Sequence, residues 1–353
     1  MPKRFLGNIM TDAPTAPDGP YKDSAASGVW SLAEVLSYTK GGLWPNFGNT
    51  NPVGLFVGHG GNTGAGITNK INIDSAANAV DFGDLSGANA DHNATSSSST
   101  TQYMGGASNS VRWIIAGGNN NLGGISYGNF TTSGSAQSFG DLGTGRRLLA
   151  GLANATRGIF AGGSKYGAGY SNVIEYVTIA STGNAATFGT ISANALSASG
   201  CASSTRGIIA GGGRSAGNFG SSGASDRIDY ITIGSTGNTT DFGNLSATSS
   251  SATATSNQTL GLINNDSDTA TDKITIASTG NATNFASLNT SGYFSGATAS
   301  QTRAIFVGGS AGDNRIEFFT FASAGTAVDF GDLTENMEYK PTGHSTVHGG
   351  LTQ

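Results

Sequence analysis

The sequence TIASTGNAATFG at residues 178–189 returns as TIGSTGNTTDFG at 232–243 and as TIASTGNATNFA at 275–286. A looser copy, TFASAGTAVDFG, occupies residues 320–331. Each copy has a β-branched run, a short turn around glycine and a second run that ends near phenylalanine, which is typical of two strands joined by a hairpin. Similar sequences at intervals of 43 to 54 residues predict a repeat architecture in which each copy belongs to one structural unit.

The repeat extends beyond these four copies. Residues 157–191, RGIFAGGSKYGAGYSNVIEYVTIASTGNAATFGTI, contain an apolar strand ending in Gly-Gly, a glycine-rich loop, a second strand, a tight hairpin and a third strand. Stretches rich in Ser, Thr and Ala, such as LSASGCASST (196–205), separate the units and suit a strand in a crowded interior. Four short strands per unit predict an all-β fold, a six-bladed β-propeller. The phenylalanines that mark the six units are Phe82, Phe139, Phe188, Phe242, Phe285 and Phe330.

The two ends of the chain differ from the repeats. Residues 1–50 combine a Pro-rich segment with a short amphipathic stretch, and we predict an extended and short-helical arm. Its apolar face packs either on the chain's own domain or on a partner. The arm's candidate assembly contacts are Trp30, Leu32, Leu36 and Trp44. Residues 51–353 form the predicted propeller. The first unit lacks an innermost strand, so we predict that a strand at 339–348 completes it and closes the ring.

Composition excludes several classes of protein. Charged residues make up only 11% of the chain, and the net charge of −5 comes with scattered cations, so no basic stripe is available for nucleic acid. No apolar run reaches membrane-spanning length, and the first residues lack the apolar region of a signal peptide. We therefore expect no nucleic-acid partner and no membrane insertion. The single cysteine, Cys201, is expected to be a small buried residue on a strand.

Few residues suggest catalysis or metal binding. His344 and His348 are four residues apart, but HSTVH predicts a strand, which would separate them by about 13 Å and preclude a shared zinc ion. NNDSDTATD (264–272) begins like a calcium loop but lacks the glycine and the terminal glutamate of an EF-hand, which favours a solvated loop. We expect no metal ion, no cofactor and no catalytic residue.

Two repeated sets of charged residues have open interpretations. Arginines before the second strand could ring one mouth of the channel and bind an anion or acidic sugar, or they could cap carbonyl groups or pair with a neighbouring blade. These arginines are Arg112, Arg157, Arg206 and Arg303. Aspartates border the phenylalanine in four of the six units, and this repetition indicates an architectural role. They are Asp81, Asp141, Asp241 and Asp329. An enzyme site would break the repeat once, and residues 264–272 are the clearest break.

The repeated order of a small-residue strand, RGIFAGG, a polar loop, IEYVT and a late aromatic resembles the kelch repeat over residues 51–350. In that family Gly-Gly follows the second strand and an aromatic residue lies on the fourth. Phenylalanine stands here where kelch repeats usually have tryptophan, which makes the resemblance a divergent one. The resemblance implies a propeller and, by itself, no function.

A second resemblance involves SAASGVWSLAEVLSYTKGGLWP (24–45) together with the degenerate repeats. This combination resembles virion proteins of tailed bacteriophages, especially tail-fibre-like proteins of cyanophages. The resemblance implies that the N-terminal segment attaches to other virion proteins, that the propeller faces outward on the particle surface, and that the chain is a homo-oligomer within the particle.

The resulting hypothesis is a non-enzymatic virion protein that recognises host-surface glycans as a tail fibre or tail-associated adhesin. The loops that follow Gly-Gly differ in length between units, and such loops commonly carry binding residues. The candidate loops are 119–129, 164–172 and 214–226, and their candidate contact residues are Tyr127, Tyr166, Tyr170 and Phe219. The alternatives are a purely structural decoration or collar protein and, third, a glycan-active enzyme.

Overall fold

A computed structural model of the chain describes residues 52–61, 66–85, 101–165, 169–215, 223–265, 268–291, 295–308 and 313–351. The described residues form an all-β, six-bladed β-propeller, as the sequence predicts. The predicted arm and its contacts Trp30, Leu32, Leu36 and Trp44 lie outside these residues and stay predictions.

Each blade is built on four antiparallel strands, to which short extra strands add pairing in some blades, and all strands are numbered in chain order from β1 to β27. Blade 1 contains β1 (Val53–Gly60), β2 (Gly66–Asn72), β3 (Val80–Asp84) and the last strand of the chain, and blade 2 contains β4 (Gly105–Ser108), β5 (Arg112–Ala116), β6 (Gly124–Asn129) and β7 (Gln137–Asp141). Blade 3 contains β8 (Ala150–Ala153), β9 (Arg157–Ala161), the short β10 (Ser164–Lys165), β11 (Gly169–Thr178) and β12 (Ala186–Leu196).

The other three blades follow the same plan. Blade 4 contains β13 (Ser199–Ala202), β14 (Arg206–Ala210), the short β15 (Gly213–Ser215), β16 (Gly223–Thr232) and β17 (Thr240–Ser249). Blade 5 contains β18 (Ala252–Ser256), β19 (Leu260–Asn265), β20 (Ala270–Thr275) and β21 (Thr283–Ser287). Blade 6 contains β22 (Gly296–Ala299), β23 (Arg303–Val307), β24 (Arg315–Thr320) and β26 (Val328–Asp332), and the short β25 (Gly325–Thr326), between the last two, pairs in parallel with β21 of blade 5. The last strand is β27 (Met337–Ser345).

The ring closes through the C-terminal strand, as predicted. β27 is the innermost strand of blade 1 and pairs with β1 in antiparallel register, with Gly54 opposite Ser345. It spans Met337–Ser345 rather than the predicted 339–348, so His348 lies beyond the strand. Because the C-terminal strand β27 pairs with β1 inside blade 1, the ring has no unpaired strand edge where its two ends meet.

The six innermost strands surround the axis so closely that they need very small side chains. A β-carbon at Gly151 would lie 2.1 Å from the carbonyl oxygen of Gly106, and one at Gly343 would lie 1.9 Å from that of Ala297. Backbones therefore touch around the axis, which explains the Ser, Thr, Ala and Gly composition of these strands. Cys201 is buried on one of them, as expected, and burial raises the pKa of its thiol to about 12.

The hydrophobic core consists of layers between neighbouring blades. In the layer between blades 3 and 4, Ile174 and Phe188 pack with Ile209 and Ile231, and all four are buried. Burial of one such side chain stabilises the fold by about 1.5–3 kcal/mol. A blade buried on both faces needs apolar residues at successive positions, which accounts for the apolar sequence VIEYVTI at 173–179.

The repeated Ser-Thr-Gly-Asn segment joins blades as well as strands. The N–H of Gly183 donates to the carbonyl of Phe139 in the preceding blade (2.8 Å), and the Asn184 side-chain oxygen accepts the N–H of Asp141 (3.0 Å). Gly183 has a φ of 156° in this hairpin. The hairpin has seven residues rather than the predicted tight turn, because it reaches across to the neighbouring blade. The sequence repeats because each copy makes the same contact between blades.

Candidate functional site

The strands end at two faces of the propeller, which carry different connecting segments and which we call the termini face and the loop face. The termini face carries Pro52 and Leu351, the turns from the innermost to the second strand, and the seven-residue hairpins. The loop face carries the segments that follow Gly-Gly and the connections from one blade to the next. The chain therefore enters the propeller and completes its last turn at the same face.

Segment lengths are constant on the termini face and variable on the loop face. The five turns from an innermost to a second strand each have three residues, and the six hairpins between the third and outer strands each have seven. On the loop face, the segment after the second strand ranges from four residues at 266–269 to twelve at 211–222. Connections between blades range from two residues at 197–198 to twenty at 85–104. The length variation of the repeat is thus confined to the loop face.

The central channel is closed at the termini face by residues 346–351. His348 Nε2–H donates to the carbonyl of Ser108 in blade 2 (2.7 Å), and the N–H of Gly349 donates to that of Ser256 in blade 5 (2.9 Å). Side-chain amides of Gln258 and Gln301 donate to the carbonyls of Leu351 and Val347 (2.8 Å each). The C-terminal turn is therefore bonded to opposite sides of the ring and lies across this end of the channel.

Lys340 spans the channel near the loop face. Its Nζ donates to the Ser197 hydroxyl (3.2 Å) and to the carbonyl of Ala198 (3.0 Å) in blade 4, opposite its own strand in blade 1. The channel between Lys340 and the C-terminal turn holds cavities of about 60 and 70 Å³, which accommodate a few water molecules. Among the described residues, no group of three His, Cys, Asp or Glu side chains is arranged to hold a metal ion.

The recurring arginines bond a neighbouring blade, which settles the choice between their two interpretations. Each guanidinium lies over an aromatic ring of its own blade and donates to a carbonyl at the start of the next blade's hairpin. Arg206 lies 4.4 Å from the ring centroid of Tyr230 and donates to Ile276 (2.9 Å). Arg112, Arg157 and Arg303 repeat the arrangement over Tyr127, Tyr176 and Phe318.

Replacing Arg206 by alanine is expected to lower the free energy of unfolding by about 1–2 kcal/mol, because a cation–π contact and a bond between blades are lost together. Urea denaturation of the full chain measures this change. Lys165→Ala, which removes an exposed cation from the loop face, is the matched control and should change stability by less than about 0.5 kcal/mol. Equal effects of the two substitutions would contradict the assigned contact.

Acidic side chains on the third strands also bind the preceding blade. Asp272 is fully buried and accepts hydrogen bonds from the N–H (2.8 Å) and hydroxyl (2.6 Å) of Ser246. The prediction that residues 264–272 form a solvated loop is therefore wrong at Asp272, which lies on β20, and at Asn264 and Asn265, which are buried on β19. Two aspartates beside the phenylalanine, Asp81 and Asp329, accept the N–H of the glycine two residues later, consistent with an architectural role.

The structure places the predicted ligand-contact residues differently from the sequence hypothesis. Tyr127 lies on β6, where its hydroxyl donates to Gln137 (2.6 Å) and its ring packs under Arg112, so it belongs to the blade and not to a loop. Tyr170 lies half-buried on β11 at the loop face. Tyr166 and Phe219 lie outside the described residues.

The two C-terminal histidines have structural partners. His344 is buried on β27, and its Nε2–H donates to the hydroxyl of Thr342 (2.9 Å). His348 accepts the N–H of Gly350 at Nδ1 (3.1 Å) while Nε2–H donates to Ser108. Burial lowers the pKa of His344 to about 3 and that of His348 to about 4. Both rings are therefore neutral at pH 7.

Sequence reasoning missed a ring of strained residues at the loop-face mouth of the channel. Non-glycine residues with φ between 56° and 65° lie just before an innermost strand or in the first half of β27, and backbone hydrogen bonds link four of them in sequence around the mouth, from Tyr339 to Ser197. These residues are Tyr103, Leu148, Ser197, Tyr339 and Lys340. Bulky residues rarely adopt this conformation, and such strain concentrates at functional sites.

The fold and its two faces define the chain as a six-bladed β-propeller with a closed channel and one variable face. No helix in the described part of the chain is long and apolar enough to cross a membrane. Neither a scan against models of protein families nor a search of curated proteins finds a match to this chain. A functional assignment therefore rests on the geometry of the two faces and on the sequence resemblances.

Proposed function

We propose that the chain is a non-enzymatic virion protein of a tailed bacteriophage, attached through residues 1–50 and displaying the loop face to host-surface glycans as a tail fibre or tail-associated adhesin. The observation that supports this proposal is the division between the faces. The propeller is joined to residues 1–50 at Pro52, on the termini face, where every turn has constant length. Attachment through that face would direct the variable loop face outward.

Two further observations support the proposal. The sequence of residues 24–45 resembles virion proteins, which favours attachment to a particle through Trp30 and Trp44. Buried acidic groups such as Asp272 and Glu175 are engaged by the preceding blade, so these carboxylates serve the architecture rather than catalysis. Several copies per particle would give the avidity that weak glycan contacts need.

The orientation can be tested by blocking one face at a time. Cys201 is buried with a raised pKa, so a new surface cysteine would be the reactive thiol among the described residues. Lys165→Cys places a thiol on the loop face, and Thr236→Cys places one in a hairpin on the termini face; both side chains are exposed. Each full-length variant is coupled to polyethylene glycol and fluorescently labelled.

Binding is measured on a panel of cyanobacterial strains, with competition against infection. We expect saturable binding that falls roughly tenfold or more when polyethylene glycol is on the loop face and that is unchanged when it is on the termini face. A folded chain without saturable binding would instead favour the decoration or collar protein. Loss of binding only with the termini-face conjugate would show that the opposite face recognises the host.

A further inference from the structure

We propose that the loop-face mouth of the channel is a binding site for a neutral pyranose, formed by Tyr103, Tyr339 and Arg147. This inference rests on the proposed display of the loop face, and it names the residues and the chemical class of the ligand.

Four planar side chains stand in a row at this mouth. The ring centroids of His59 and Tyr339 are 5.9 Å apart, and those of Tyr339 and Tyr103 are 5.6 Å apart at an interplanar angle of 70°. The guanidinium of Arg147 follows at 5.9 Å from the centroid of Tyr103. The row extends from blade 1 across blade 2 to the connection that precedes blade 3, so ring closure creates it.

The two tyrosines have left-handed backbone angles, as do Leu148 and Ser197 at the same mouth. Tyr103 has a φ of 61° and Tyr339 a φ of 60°, and strain of this kind costs on the order of 1–3 kcal/mol per residue. The segments after the second strands take similar angles with glycines, such as Gly117 and Gly162, at 71° and 67°. At the mouth, Leu148 and Ser197 share these angles, so the conformation belongs to the repeat, and the tyrosines differ from them in placing aromatic rings there.

Hydrogen bonds fix the backbone that carries both rings. The N–H of Tyr103 donates to the carbonyl of Tyr339 (2.8 Å), and the carbonyl of Tyr103 accepts the N–H of Leu148 (2.7 Å). The rings are therefore held in place before any ligand arrives, which lowers the entropic cost of binding. Lys340 lies directly after Tyr339 and closes the channel beneath them, so a ligand would lie across the mouth rather than enter.

The surrounding polar groups suit sugar hydroxyls. Tyr103, Tyr339 and Arg147 are half-exposed, so their surfaces are partly accessible from the loop face. Arg147 Nη1 donates to Asn119 Oδ1 (3.1 Å), and Asn119 Nδ2 donates to Gln102 Oε1 (3.4 Å), which lines one side of the row with amide and guanidinium groups. A pyranose offers an aliphatic face to a tyrosine ring and hydroxyls that both donate and accept hydrogen bonds.

The local charges favour a neutral sugar over an anionic one. Glu335 and Glu338 both act electrostatically on His59 at one end of the row, whereas Arg147 supplies a positive charge at the other end. Burial lowers the pKa of His59 below its usual range, so its ring is neutral at pH 7. Acidic sugars would meet two carboxylates beside the histidine, and neutral sugars would meet no such repulsion.

The test uses the full chain and four probes, the methyl pyranosides of glucose, galactose, mannose and N-acetylglucosamine, observed by saturation-transfer NMR and titration. Tyr339→Asn and Tyr103→Asn remove a ring while keeping a residue that adopts positive φ readily, so the fold is retained. Both should weaken binding roughly tenfold or more. Tyr339→Phe keeps the ring, and Tyr170→Asn alters another loop-face tyrosine; both should bind within about twofold of the unaltered chain.

Two results would overturn the site. One is the absence of saturation transfer for all four pyranosides, whether or not the mouth binds a peptide instead. The other is pyranoside binding that survives both asparagine substitutions. The cell-binding assay separates this site from the proposed function, because saturable cell binding by a chain that binds none of the pyranosides refutes the site alone. Pyranoside binding that depends on Tyr339 without any cell binding refutes host recognition alone.

Discussion

Replacing Arg146 by methionine is expected to lower the free energy of unfolding by about 3–5 kcal/mol, because the substitution leaves a buried carboxylate without its counter-charge. Arg146 is 1% exposed, and its guanidinium is paired with the carboxylate of Glu175, which is 5% exposed. Its Nη1 also donates to the carbonyls of Gly162 (2.6 Å) and Val173 (2.9 Å), so one side chain joins blade 3 to the segment before it. Denaturation by guanidinium chloride at neutral pH measures the loss in the free energy of unfolding.

A double variant separates the ion pair from simple packing. Glu175→Leu alone should also cost about 3–5 kcal/mol, whereas Arg146→Met combined with Glu175→Leu should recover much of that loss, since an apolar pair avoids an uncompensated buried charge. Asp241→Asn is the control, because Asp241 is 69% exposed in its pair with Arg227 (3.9 Å) and should contribute less than about 1 kcal/mol. Additive losses in the double variant would contradict the assigned coupling.

The propeller could be predicted from the sequence because its signals are local and repeated. Phe188 and its counterparts mark the outer strand of each blade, and the surplus strand near the C-terminus follows from an incomplete first unit. The exact bounds of β27 could not be predicted, since Met337 joins the strand through pairing with Gly60 in a distant part of the chain. Likewise, the hairpin sequence predicts a turn but not its contact with the preceding blade, which depends on how blades meet.

The candidate site was much harder to predict, because ring closure assembles it. Arg146 and Arg147 are neighbours in the sequence, yet one is buried in an ion pair and the other is half-exposed beside Tyr103. Nothing in GRRLL distinguishes them, since their partners, Glu175 and Tyr103, lie elsewhere in the sequence. Tyr103 and Tyr339 meet only where blade 1 adjoins blade 2. The sequence offered one signal for this site, which is an aromatic residue at most four positions before a glycine of an innermost strand.

Acidification is expected to destabilise the propeller by about 2–3 kcal/mol per C-terminal histidine at about pH 4.5. Burial lowers the pKa of His344 to about 3 and that of His348 to about 4, from 6.5 in both cases. Between pH 4 and pH 6.5 the unfolded chain therefore binds protons that the folded chain does not. Stability that is present above pH 6.5 is lost as the pH falls. His348 retains partial exposure, so His344, at 1%, should contribute more.

His344→Gln isolates this effect, because glutamine keeps a side-chain donor near Thr342 and does not titrate. Carboxylates also titrate in this range, so the useful quantity is the difference in pH dependence between the variant and the unaltered chain. Urea denaturation at a series of pH values should show that the variant takes up about one proton fewer on unfolding than the unaltered chain does. Identical pH dependence would mean that His344 is protonated in the folded chain, which a ring buried beside Trp113 and bonded to a hydroxyl does not favour.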